Sequence, residues 1–140
     1  MIRYLTIKEF RRINGNCLGV HYQDDSGNDV IELPFKASTM TRLHEIGHSI
    51  NGDSSGDYTF EDLFDREVKA ELYAYQIMNR PLNMNILIPA INRVADYHYL
   101  NAVVLFKLCL ESMAKYNIPY DKEERSDLWH KLKIISKRNR

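Results

Sequence analysis

Cysteine is scarce in this chain of 140 residues: Cys17 and Cys109 stand far apart, and neither belongs to a CxxC pair. That count excludes a disulfide-stapled scaffold and a four-cysteine zinc site, and two reduced, buried thiols are expected. Net charge is missing as well, because nineteen basic and nineteen acidic side chains cancel. With no overall field to attract polyanions, neither nucleic acid nor a membrane surface is an expected partner. The basic stretch KLKIISKRNR (131–140) reads as a solvated helix end. Long hydrophobic runs are also lacking: the tightest cluster, AVVLF (102–106), is far too short to span a bilayer. The opening MIRYLTIKEFRR has no signal-type apolar block, so the expected location is cytoplasmic.

What remains is a globular composition, 44% hydrophobic and 27% charged, in a length that suits one compact domain over residues 1–140. TIKEFRRI (6–13) has helical spacing and stops at Asn14-Gly15. CLGVHYQ (17–23) and DVIELPF (29–35) lean to strand, and DDSGN (24–28) supplies turn chemistry for a hairpin. Pro34 places the second strand at a sheet edge. Ser38 or Thr39 caps a helix in which Met40, Leu43, Gly47 and Ile50 share a face. A long helix covers 60–78. From about 84 the chain reads as helical, with Pro89 in a first turn, Asn117 and Pro119 as breakers, and an Asp121/Glu124 cap before the last helix. The fold class is α+β, with a motif region at about 17–80 and a helical part at about 84–140.

One motif carries chemistry: TRLHEIGHSING (41–52) contains HExxH. Residues four apart on a helix lie roughly 40° apart around its axis, so His44 and His48 can grip one cation. Glu45 points off that axis and is placed to touch a water on the ion. Gly47 lets another element come close beneath the metal. The third ligand is sought downstream. Along 60–78 the apolar stripe runs through Phe60, Leu63, Phe64, Ala70, Ala74, Ile77 and Met78, and Glu67 and Glu71 fall inside it. A carboxylate on a core-facing stripe is costly unless a cation or donors meet it. Glu67 is read as the third ligand and Glu71, one turn on, as acceptor of the free ring N–H of a ligand histidine, His44. The exchanged roles, and a surface salt-bridged pair with Arg66 or Lys69, are the other readings.

HEIGH followed by EVKAE (67–71) resembles the gluzincin zinc metallopeptidases, and EVKAELYAYQIM (67–78) resembles the corresponding helix of the ImmA/IrrE-type metallopeptidase domain. In size and element order the chain is similar to the minigluzincins. The likeness covers about residues 17–78. It implies a small zincin-like domain, one Zn²⁺ on His44, His48 and Glu67, and hydrolysis of a peptide or protein substrate, with a regulatory protein implied as the target. The family's aspartate or asparagine is Glu71 here. The metzincin pattern is excluded, because Asn51 and Ser54 stand where it needs glycine and histidine.

On this reading Glu45 is the general base that relays a proton from water to the leaving amine. An oxyanion donor is sought in His98, Tyr97 or Tyr99, or in His130. The strand DVIELPF is expected to line the cleft and pair with an extended substrate. Two rival classes remain: a latent or non-peptidolytic zinc-binding module acting through protein–protein interaction, and a metal-free helical interaction protein. His21 is read as structural.

Overall fold

The computed structural model describes residues 1–53, 58–98 and 100–138, without the side chains of 96–98 and 138. Among these residues it is an α+β protein: a three-stranded sheet near the N-terminus, six α-helices and a 3-10 turn. Two compact units divide the chain, Met1–Asp57 with Lys69–Asn79, and Tyr58–Val68 with Arg80–Arg140. No described helix is long and apolar enough to cross a membrane.

The first unit contains β1 (Ile2–Leu5), α1 (Ile7–Asn14), β2 (Val20–Gln23), β3 (Asp29–Pro34) and α2 (Thr39–Ile50). The hairpin forms where turn chemistry places it. The Asp24 carboxylate accepts from the backbone N–H of Ser26 and Asn28, each at 2.9 Å, and Gly27 takes φ +81°. β2 then pairs antiparallel with β3, His21 opposite Ile31. The sheet order β1-β3-β2 corrects one expectation, because β3 is central and not an edge. The short terminal strand IRYL pairs with it in parallel, Ile2 with Ile31 and Leu5 with Pro34. Pro34 is tolerated because β2 pairs only as far as Glu32, so no strand claims an N–H at 34, and the bond to the Leu5 carbonyl comes from the N–H of Phe35 at 2.9 Å. The sheet edges are therefore β1 and β2, and β3 cannot pair with a substrate.

Thr6 and Ser38 cap α1 and α2 by accepting from the N–H three residues on. The buried residues of α2 are His44, Glu45, Gly47 and His48, whereas Ile50 is 61% exposed. The polar motif, rather than the apolar stripe beside it, is the inward face of this helix. Alternation along β3 turns Asp29, Ile31 and Leu33 to one side, where Asp29 bonds Ser49 of α2.

Helix α3 (Phe60–Ile77) contributes a segment to each unit. Its buried positions are Phe64, Val68, Ala70, Ala74 and Tyr75; Ile77 and Met78, expected inward, are exposed at the helix end. The second unit continues with the 3-10 turn Met84–Leu87, α4 (Ile88–His98), α5 (Ala102–Lys115) and α6 (Lys122–Arg138). α5 buries one face, through Leu105, Leu108, Cys109 and Met113, and leaves Val103 exposed. The Asp121/Glu124 cap of α6 is reciprocal, each side chain accepting from the other's backbone N–H.

The two thiols also part from expectation. Cys109 is buried but Cys17 is exposed, since it precedes the strand instead of lying in it. Burial pushes the Cys109 thiol up to about 12. Titration with a thiol reagent at pH 8 is expected to label one cysteine in the folded protein and both in denaturant. Rapid labelling of both without denaturant would contradict this packing.

Candidate metal centre

Helix α2 presents its two histidines with their Nε2 atoms 3.1 Å apart, the rings in an edge-on arrangement. Two nitrogens at zinc-bond length in a tetrahedron stand about 3.3 Å apart, so the pair has the bite of a bidentate grip. Both rings face carboxylates with their other nitrogen. His48 Nδ1 lies 2.8 Å from Asp53 Oδ2, and His44 Nδ1 lies 3.6 Å from Glu71 Oε1. Where each Nδ1 carries the proton that faces its carboxylate, both Nε2 lone pairs turn toward the same point. Two lone pairs facing each other repel unless a cation or proton sits between them, which is the donor arrangement a metal requires.

Glu67 completes the group. Ligand atoms of His44, His48 and Glu67 all lie within 4.8 Å of one another. Two histidines and a carboxylate suit a borderline cation such as zinc, and three protein ligands leave a further position open. These residues can hold a metal ion. Glu67 and Glu71 both sit in the middle of the buried stripe of α3, flanked by Phe64, Val68, Ala70 and Ala74. Glu45 is 7% exposed and stands on the sheet-facing side of α2. A Cβ added at Gly19, just before β2, would lie 3.1 Å from Glu45 Cγ and 2.9 Å from Leu33 Cδ2. The absence of a side chain at Gly19 therefore gives the Glu45 side chain its room.

The contact between α2 and α3 is equally tight. A Cβ on Gly47 would meet the Ala70 carbonyl oxygen at 2.9 Å and Ala70 Cα at 3.0 Å. Backbone cannot yield as a flexible side chain does, so only glycine fits at 47 and only a small residue at 70 keeps the gap narrow.

Asp53 was not legible as a site residue, though a signal for it existed. Asn51 and Gly52 end α2 with Gly52 at φ +72°. The N–H of Gly52 then bonds the Ser49 carbonyl, and the N–H of Asp53 bonds the His48 carbonyl. This is a Schellman termination, which brings the second residue past the cap back onto the last turn of the helix. The position usually holds an apolar residue; here it is an aspartate against a histidine. A second network backs the first. His21 Nε2 lies 3.1 Å from Asp29 Oδ1, Ser49 donates to Asp29 Oδ2 at 2.9 Å, and the His21 ring stacks parallel to that of His48 at 6.2 Å. The Ser49 hydroxyl first, and His21 second, hold the Asp29 carboxyl below the usual carboxylate range. His21 thus has a partner, and it ties the hairpin to α2.

The side chains of Tyr97 and His98, and all of Tyr99, lie outside the described residues; His130 is exposed on α6. Compared with family models, curated proteins and solved structures, the chain matches none.

Two variants test this geometry. Asp53→Asn keeps the shape but weakens the charge opposite His48, and is expected to lower zinc affinity about 10- to 100-fold in competition with a chromophoric chelator, with the fold unchanged by circular dichroism. Gly47→Ala overpacks the helix contact and is expected to cost about 1–3 kcal/mol in urea denaturation. Wild-type affinity in the first, or wild-type stability in the second, would refute the corresponding contact.

Proposed function

We propose that the protein is a zinc-dependent peptidase of the gluzincin kind, with a zincin-like fold, acting on an extended peptide segment in the cytoplasm. One observation carries the reading: a buried glutamate between two convergent histidines on the same helix, beside a carboxylate on the neighbouring helix. Structural metal sites close their fourth position with protein, whereas this donor set is three-membered with an acid–base group next to it.

Zinc bound there supplies Lewis-acid activation of a water and polarisation of a carbonyl. His44 and His48 present Nε2 and are kept in that tautomer by Glu71 and Asp53. Glu67 adds the third donor. The Glu45 carboxylate accepts the proton of the attacking water and passes it to the departing amine nitrogen. The substrate is held by backbone bonding. With β3 paired on both sides, β2 is the strand that lies against α2 and keeps an open edge among the described residues. A peptide added to residues 20–23 would pass alongside Glu45, at the end where Gly19 meets it.

The test is metal content and turnover together. Protein purified without added zinc is expected to carry close to one zinc per chain, and Glu45→Gln to keep that zinc while losing at least about 100-fold in hydrolysis of an unstructured protein such as casein. Zinc retained with no hydrolysis by either form would favour the non-peptidolytic binding module instead. A zinc content below about 0.2 per chain, set against the tight binding expected of a preformed three-ligand site, would end the proposal.

A further inference from the structure

Away from the metal group, the helical unit carries a groove of about 550 Å³ between α6 and the segment formed by the 3-10 turn and α4. Its floor is apolar, with Ile91, Leu128 and Leu132 buried. Its rim is apolar too: Ile88 and Ile134 are 46% and 54% exposed. An aliphatic rim of that kind around a buried floor marks a surface that binds something.

The charges on α6 say what fits. Along the strip that lines the groove, the helix reads Glu124, Asp127, Leu128, Lys131, Ile134, Ile135. These positions recur at three- and four-residue spacing and therefore share one face. Carboxylates occupy its beginning and an ammonium follows one turn later, with apolar side chains among them. Such a strip is the electrostatic complement of itself turned end for end. Glu124 is already engaged in the helix cap. Asp127 and Lys131 form no ion pair with any described residue, although they are four apart on one helix.

We infer that this face is a homodimer interface: α6 of a second copy lies antiparallel across the groove, about a two-fold axis. In that arrangement Asp127 of each copy faces Lys131 of the other, and the exposed Ile134 of each is covered by the partner's first α6 turn, where Glu124 is held in the cap. A two-fold interface must be self-complementary, so both the charge order and the apolar rim are what such a contact needs. The opposite wall, with Asn83, Asn85 and Asn92, brings no charge to disturb it. The inference is independent of the metal site and of any activity there.

Sedimentation of the full chain at on the order of 100 µM, where a micromolar association is populated, is expected to give the mass of a dimer. Lys131→Asp sets carboxylate against carboxylate twice per dimer and should weaken association about 100-fold. The double variant D127K/K131D reverses both charges and should restore it. Ile134→Glu should leave a monomer with unchanged circular dichroism and zinc content. A wild-type monomer at that concentration, a dimer indifferent to K131D and I134E, or a K131D defect that the double variant does not rescue would overturn the proposal. The first outcome would leave the groove to a different protein or to a small amphipathic ligand.

Discussion

Everything at the candidate metal centre depends on two helices coming closer than side chains normally allow. Gly47 lies against the backbone of Ala70, and that contact sets the distance between the imidazoles on α2 and the carboxylates on α3. A larger residue at 47 would push α2 off the backbone of α3 and move His44 away from Glu71. The site is thus specified as much by two small residues that touch no ion as by the residues that would. Carboxylates in the buried stripe of α3 would be destabilising by themselves, and they become useful only because the helix opposite carries groups that answer their charge.

Each of the two histidines has a carboxylate beside it from a different part of the chain. His44 has Glu71 from α3, while His48 has Asp53 from the turn that ends its own helix. Behind His48, the sheet adds His21 and Asp29, the latter held by Ser49. Orientation by carboxylate is a common way to fix a ring's tautomer and raise its basicity. Here it draws on the sheet, the helix cap and the second helix together, so the geometry does not rest on any single flexible side chain.

Much of this was legible in the residues, for reasons that differ from element to element. The HExxH spacing and the two glutamates inside an apolar stripe express helical periodicity, which is local and robust. The hairpin turn and the caps at Ser38 and Asp121 follow from side chains that bond their own backbone. What the sequence hid was non-local. IRYL is four residues with no turn before it, and only its pairing with β3 makes it a strand; that pairing removed the edge that Pro34 had suggested. Asp53 looked like an ordinary loop residue because the fold-back at Gly52 had to be followed one residue further. On α2 hydrophobicity marks a face that ends at Ile50, yet that residue is exposed and His44, Glu45, Gly47 and His48 are the buried ones.

The shape of the small sheet also limits how these molecules can go wrong. Both of its outer strands are only four residues long, and the one long strand is enclosed between them. Short borders are a recognised defence against runaway strand-on-strand growth. The sheet is consequently a poor seed for fibrils.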